Sequence, residues 1–290
     1  MSVQTEATYR RKSGKADAET VGGMGYEIMW VAWRGFKKLT RNPFILFFSL
    51  FMPLIWLVMF SSTFGNVFSS ATAGPGGSIQ PLPYDYVAVL LPGITVMTAI
   101  QSAAQSGFGM VADIDSGFMD KFFVAPMRRS SVLLGKLLSD GMRMAGQAAI
   151  VLGVAYLLKV GVGWRIPFAT GIPGAVLIVI LASAFGVAFS GLSNTVALRT
   201  KNTEATMMVS FTLTFPLLFL STAMLPKAFL PTWVKDFSSV NPVSYIADAS
   251  RSMILTGYDW HAIGNAFLAI AIFGVVLNGM AVMAFRAQGK

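Results

Sequence analysis

Six apolar segments, each long enough for a membrane-spanning helix and separated by shorter polar stretches, constrain this chain more than any other feature. A helix needs about 20 apolar residues to cross ~30 Å of hydrocarbon. Hydrophobic residues make up 54% of the 290 and charged residues only 12%, about half the charged share usual in soluble domains. We therefore predict an all-α integral membrane protein with six transmembrane helices, at about residues 44–64, 86–111, 132–160, 172–196, 203–225 and 261–285.

The composition argues against several kinds of site. The chain has no Cys, which excludes disulfides and thiolate metal sites, and a single His, His261. We find no cluster of His, Asp and Glu that would supply a metal site or a catalytic pair, so we predict no enzyme activity. The net charge of +9 would suggest nucleic acid in a soluble protein, but in a membrane protein it follows from cationic cytoplasmic loops. We predict no nucleic-acid partner.

The distribution of basic residues predicts the orientation. Six spans put both termini on one side, and with those termini inside, 17 of the 22 Lys and Arg residues lie in cytoplasmic segments. Residues 1–25 are polar and lack the apolar region of a signal peptide, so we expect a disordered cytoplasmic tail. We predict that residues 26–290 form the transmembrane domain of a multi-pass protein of the cell membrane.

Residues 26–42 have the pattern of an amphipathic helix. Trp33 and Phe36 lie on one face. The basic residues of the other face recur at i, i+3, i+4 and i+7: Arg34, Lys37, Lys38 and Arg41. We predict a helix at the membrane interface, whose basic face meets anionic lipid or an acidic partner surface, and we favour lipid.

The longest charged and Pro-interrupted stretch between two apolar segments runs from Asp113 to Lys136. A turn at Gly117, a short helix to about Val124 and a stop at Pro126 would form a helix lying across the ends of two spans. Two interpretations remain, a docking element and an interfacial loop whose Phe residues enter lipid. The residues that would dock a partner are Gly117, Phe118, Asp120, Phe122, Phe123, Pro126, Arg128 and Arg129.

Polar residues also occur inside the predicted spans. Gln101 and Gln105 are interleaved with small residues, which favours helix packing over a substrate pathway. Lys136, Asp140 and Arg143 share one face of the next helix. Charges at the bilayer centre cost about 2.5–3.5 kcal/mol each. We therefore predict that these three residues form a ladder of ion pairs at the cytoplasmic headgroups.

Two further segments indicate how the helices are arranged, one inside the membrane and one at its outer side. The fourth span is rich in Gly, Ala and Ser, so we expect it to be buried against other helices or a second copy. Residues 226–260 are too polar to span the membrane and predict short helices that re-enter the outer leaflet. Asp248 and Arg251 are spaced i, i+3 and are expected to pair there.

Taken together, three motifs resemble the permease subunit of type-2 ABC exporters, and in particular the daunorubicin-resistance subgroup. They are LPGITVM at 91–97, the stretch from Gly117 to Lys136 with Ala125-Pro126 and Gly135-Lys136, and Asn241-Pro242 followed by Arg251. The resemblance implies an N-terminal interfacial helix, six spans, a cytoplasmic coupling helix and re-entrant outer helices. It also implies that Gly117 to Arg129 receives a nucleotide-binding subunit.

The chain has no G-x-x-x-x-G-K-[ST] loop, so ATP and Mg²⁺ are expected on a separate ATP-binding subunit and no cofactor on this chain. We predict a dimer of permeases that exports a hydrophobic small molecule or a lipid-like substrate. Two alternatives within the exporter class are a lipid-linked sugar or polysaccharide exporter and an ion exporter. An ion-coupled secondary transporter would need a midplane ionisable residue and inverted repeats, and we find neither.

Overall fold

A computed structural model describes residues 24–40, 43–71, 84–117 and 129–287. The regular elements in these ranges are helical, with one 3₁₀ turn at Lys227–Phe229 between α6 and α7. The α-helices are α1 (Met24–Thr40), α2 (Pro43–Ala71), α3 (Tyr86–Asp115), α4 (Arg129–Gly161), α5 (Gly171–Thr200), α6 (Thr203–Phe219), α7 (Thr232–Val240), α8 (Pro242–Leu255) and α9 (Trp260–Ala287).

Four helical segments are long and apolar enough to cross a membrane: Tyr86–Asp115, Ser131–Gly161, Gly171–Thr200 and Trp260–Phe285. The apolar parts of the other two predicted spans are shorter, Ser49–Gly65 in α2 and Thr203–Phe219 in α6. The all-helical membrane fold predicted from the sequence is therefore confirmed, while the count of six spans stays a prediction.

Helix α3 is the centre of the bundle. In its most apolar 18-residue stretch 94% of the residues are buried, against 11% in the corresponding stretch of α9. Helices α2, α4, α5, α6 and α8 all pack against α3. A helix that is apolar on every side is stable only in such surroundings or in lipid. We infer that α3 is held by protein and that α9 leaves most of its surface for lipid.

Pro92-Gly93, a pair that usually marks a break or turn, lies within the continuous helix α3. Gly93 serves close packing, because a Cβ there would lie 1.9 Å from the backbone oxygen of Ala223. The backbone at Ala223 thus passes α3 at a position where the absence of a side chain leaves room for it. The glycine is explained by this contact and not by a helix break.

Replacing Gly93 by Ala is expected to destabilise the protein by about 1–3 kcal/mol, because the new methyl group forces the backbone at Ala223 to move. Gly153 is the matched control, since a Cβ there meets nothing within 4 Å. Thermal unfolding of the purified chain, followed by size-exclusion chromatography, compares the two variants. Equal midpoints for Gly93→Ala and Gly153→Ala would contradict the packing role.

Helix α6 ends at Phe219 and not near Leu225 as the apolar pattern predicted. The Asn241 side chain explains the early end: its Nδ2 donates to the backbone oxygens of Leu217 and Leu220, at 2.6 and 3.1 Å. The same side chain caps α8, because its Oδ1 accepts from the Val243 amide at 3.0 Å. One Asn-Pro pair therefore stops one helix and starts another.

The small residues of α5 are used inside the chain. A Cβ at Gly191 would lie 2.6 Å from the backbone nitrogen of Asn278 in α9, and one at Gly186 would lie 2.5 Å from Met144 Sδ in α4. The sequence predicted that this span packs against other helices or a second copy. At Gly186 and Gly191 the neighbours are helices α4 and α9 of the same chain. These two positions are therefore filled without a second copy.

Helix α1 packs on α4, and it runs two residues earlier at each end than the predicted 26–42. A Cβ at Gly135 would lie 2.6 Å from Val31 Cβ. A Cβ at Gly35 would similarly meet the Ser139 side chain. These two contacts join α1 directly to the beginning of α4, which follows the predicted coupling segment.

Candidate functional site

The predicted coupling segment connects α3 to α4. Helix α3 ends at Asp115, and Gly117 turns the chain with a left-handed φ of 64°. Helix α4 resumes at Arg129. The other predicted docking residues lie outside the described residues, and so does the side chain of Arg129: Phe118, Asp120, Phe122, Phe123, Pro126 and Arg128. The segment is therefore joined directly to two helices, the end of α3 and the beginning of α4.

The basic face of α1 is only partly directed away from the protein. Burial lowers the pKa of Arg34, and the nearby Asp113 carboxylate raises it. The Lys37 side chain is exposed, whereas Lys38 and Arg41 lie outside the described side chains. Asp113 belongs to the last turn of α3, so Arg34 contributes an intramolecular contact at this end of the bundle. The exposed aromatic residues of α1 are Tyr26, Trp30 and Trp33.

Lys136, Asp140 and Arg143 form one ion-paired cluster on α4. Lys136 Nζ lies 3.1 Å from Asp140 Oδ2, and Arg143 Nη2 lies 3.2 Å from Asp140 Oδ1. Asp140 is only 8% exposed, so its charge depends on these partners. The residues sit i, i+4 and i, i+7 along the helix, which places them on one face.

The cluster extends to α3 and α5. The Ser106 hydroxyl donates to the Asp140 carboxylate and lies 3.1 Å from the Asn194 side-chain oxygen. Lys136 Nζ also donates to the backbone oxygen of Ser106 at 3.1 Å. Arg143 Nη2 donates to the backbone oxygen of Ser102 at 2.8 Å. Contacts of the three α4 residues with two α3 serines, and of Ser106 with Asn194, therefore link three helices.

Sequence reasoning did not single out Asn194 as a member of this cluster. An amide in the middle of a span rich in Gly, Ala and Ser was the available signal, because polar residues inside apolar helices usually face other helices. A neighbouring hydrogen-bonded contact reinforces the junction: Ser193 Oγ donates to the Ala104 oxygen at 2.8 Å and accepts from the Gly107 amide at 3.2 Å.

Gln101 and Gln105 lie on the half-buried stripe of α3. Their amides hydrogen-bond to no residue among those the structure describes. The interhelical hydrogen bonds expected of packing residues are therefore missing within that part of the chain. Along α3, Gln101 is one residue before Ser102 and Gln105 is three residues after it.

A second polar network surrounds Arg251 on the opposite end of the bundle. Arg251 Nη1 donates to Asp248 Oδ1 at 2.6 Å, which is the pair expected from the sequence. Its Nη2 donates to the backbone oxygen of Thr222 at 2.5 Å and its Nε to that of Val89 at 3.3 Å. One guanidinium thus joins α3, α8 and residues 220–226. This network holds α8 in place against α3. The depth of the short helices in the membrane stays a prediction.

Replacing Arg251 by Lys is expected to destabilise this end of the bundle by about 2 kcal/mol, because an ammonium group lacks the planar fork that reaches three partners. Limited proteolysis at residues 220–230 measures the effect. Arg165→Lys is the matched control, since that Arg is 57% exposed in its pair with Asp85 and should cost less than about 1 kcal/mol. Equal protease resistance of the two variants would contradict the role of Arg251.

Comparison with known proteins gives a consistent picture. The profile of the ABC-2 type transporter family matches residues 26–255. The chain is 28% identical over 223 residues to the daunorubicin resistance ABC transporter permease protein DrrB1 of Streptomyces coeruleorubidus, covering 77% of this chain and 72% of the relative. It is 29% identical over 228 residues to the putative transport permease ycf38 of Cyanophora paradoxa, covering 78% and 73%.

A third relative is the probable doxorubicin resistance ABC transporter permease protein DrrC of Mycobacterium tuberculosis, 24% identical over 210 residues, covering 72% of this chain and 70% of the relative. The family resemblance that the three sequence motifs indicated is thereby confirmed. Permeases of this family normally work with an ATP-binding subunit. With its apolar helices and its match from residue 26 to 255, the chain belongs to the ABC-2 type transporter family, as a multi-pass membrane permease and not an enzyme.

Proposed function

We propose that this chain is the permease of an ATP-driven exporter that moves a hydrophobic small molecule or a lipid-like substrate out of the cytoplasm. The observation that carries the proposal is the family match over residues 26–255. Relatives named for daunorubicin and doxorubicin resistance favour a hydrophobic cargo. In this proposal the protein crosses the cell membrane six times with both termini cytoplasmic.

The ATP-binding subunit, which carries ATP and Mg²⁺, docks on the coupling segment from Gly117 to Arg129. Because that segment continues directly from α3 and into α4, a push on it acts on both helices. The hydrogen bonds from Ser106 to Asp140 and from Lys136 to the backbone oxygen of Ser106 tie these helices together beyond the segment. We therefore expect α3 and α4 to move as one unit.

Transport requires that ATP binding favour one access state over the other, since a ligand that binds both states equally shifts no equilibrium. In the proposed cycle, closure of two ATP-binding subunits moves the two coupling segments and changes the side on which the substrate site opens. The two halves come from two permease copies, identical or paralogous. The exposed side of α6 offers apolar surface for a second copy or for lipid: Met207, Met208, Phe211 and Phe215.

The test is co-purification of an ATP-binding subunit with this chain from native membranes, followed by reconstitution into proteoliposomes. The proposal expects ATP hydrolysis that rises with a hydrophobic substrate and ATP-dependent movement of that substrate. If no ATP-binding subunit accompanies the chain, and ATP drives no transport with any subunit encoded beside it, the proposal fails.

A further inference from the structure

Several polar atoms where α2, α3 and α4 meet have no hydrogen-bond partner among the described residues. They are buried: Ser102 Oγ, Arg143 Nε and Gln147 Oε1. Arg143 touches Ser102 through its Nη2, and Gln147 lies one turn further along α4. Gln147 also donates to Ser49 Oγ of α2 at 2.7 Å, which places it at the junction of these helices. Buried polar atoms are nearly always paired, so the two donors among them, Ser102 Oγ and Arg143 Nε, call for an acceptor.

The charge of the neighbouring cluster indicates what kind of ligand. Lys136 and Arg143 are two cations that share a single carboxylate, that of Asp140. No other carboxylate in the described part of the chain pairs with either cation. The cluster therefore carries one excess positive charge. Lys136 Nζ already donates to three acceptors, whereas the Nε of Arg143 donates to none of the described residues.

The edge of this site is open, although Ser102 Oγ and Arg143 Nε are themselves covered. The Arg143 side chain is 16% exposed, and Gln101 and Gln105 are half-buried on the adjoining stripe of α3. Their amides add donors without partners in the described protein. Arg143 follows the first residue of α4 by fourteen positions, which is about 21 Å along a helix. With the proposed orientation, this position lies in the cytoplasmic half of the membrane.

We infer that Arg143, with Ser102 and the two α3 amides, binds the anionic headgroup of an amphiphile, a phosphate or a carboxylate. The excess positive charge favours an anion over a cation, and the uncommitted donors fit its oxygens. If the amphiphile is the transported substrate, the inference names the substrate class of the proposed exporter and rests on that proposed function. A lipid that stays bound in the cytoplasmic leaflet carries the same anionic headgroup. The second experiment distinguishes such a bound lipid from a transported one.

The first experiment measures binding to the purified chain in dodecyl maltoside. Thermal unfolding is followed while dodecyl phosphate, dodecanoate or dodecyltrimethylammonium is added, because a ligand of the folded state raises its midpoint. Both anions should raise the midpoint at concentrations where the cation does not. Arg143→Gln should move the dodecyl phosphate response to concentrations at least about tenfold higher, since a hydrogen bond to a charged group is lost.

Two further variants keep this test decisive. Arg165→Gln removes the same charge from an exposed pair and should leave the dodecyl phosphate response unchanged. Ser102→Ala alters no charge and removes a hydroxyl that has no partner among the described residues, so it tests the site even if Arg143→Gln does not fold, and it should weaken the response severalfold. An equal response of the unmodified chain to the anions and the cation overturns the inference. So does an unchanged response in Ser102→Ala and Arg143→Gln.

The second experiment uses proteoliposomes that contain the chain and its ATP-binding subunit. ATP-dependent movement of a fluorescent phosphatidate between leaflets identifies the anion as cargo. Binding without movement, while a neutral hydrophobic substrate is exported, identifies a resident lipid. If ATP drives no transport but anion binding depends on Arg143, the proposed function fails and the anion site stands.

Discussion

Asp140→Asn is expected to remove a large part of the protein's stability. Among the described residues, Asp140 is the one carboxylate that pairs with Lys136 and Arg143, at 3.1 and 3.2 Å, so the substitution leaves two cations, each 16% exposed, without a counter-ion. Breaking a buried pair in this way costs about 3–5 kcal/mol. Since the whole stability of a domain is about 5–15 kcal/mol, we expect a large fall in the yield of monodisperse protein and in its unfolding temperature.

The matched control is Arg165→Gln, which breaks an exposed pair with Asp85 and should cost about 1 kcal/mol or less. A triple variant, Lys136→Met with Asp140→Leu and Arg143→Met, removes all three charges and should recover part of the lost stability. This rescue separates unpaired charge from lost packing. If Asp140→Asn is as stable as Arg165→Gln, the cluster does not hold the helices together.

Phe122→Ala combined with Phe123→Ala is expected to uncouple the permease from its ATP-binding subunit. Two aromatic anchors in a protein interface together contribute about 2 kcal/mol or more, so binding should fall by roughly thirtyfold. A pull-down of the ATP-binding subunit and its stimulated ATP hydrolysis measure the loss. Membrane insertion should persist, because the segment between α3 and α4 lies outside the spans in the proposed topology.

The control is Tyr258→Ala with Trp260→Ala, which removes a stacked aromatic pair at the beginning of α9 and should leave binding of the subunit intact. Arg128→Glu with Arg129→Glu should weaken binding in a salt-dependent way, because charges at the rim of an interface act through screened fields. Normal ATPase coupling in the Phe122/Phe123 variant would favour the interfacial-loop interpretation. Altered membrane topology in the Glu variant would favour it too.

The sequence by itself determined the class of protein and its family. Long apolar segments require lipid or protein around them, so the all-helical membrane fold follows from hydropathy alone. Local spacing was similarly informative where partners are close in the chain: the i, i+3 spacing of Asp248 and Arg251 predicted a pair that the structure contains. Motifs at 91–97, 117–136 and 241–251 were enough to identify the family.

Only the tertiary structure decided which distant residues meet. Nothing in the chain order places Asn194 beside Ser106, 88 residues away, or Asn241 beside the carbonyl of Leu217. Gly93 likewise resembled a helix breaker until Ala223 was seen to cross it. Hydropathy and spacing report on one helix at a time, whereas these contacts depend on how helices pack side by side. That packing is what buries Arg143 with one uncommitted donor, the feature on which the anion site rests.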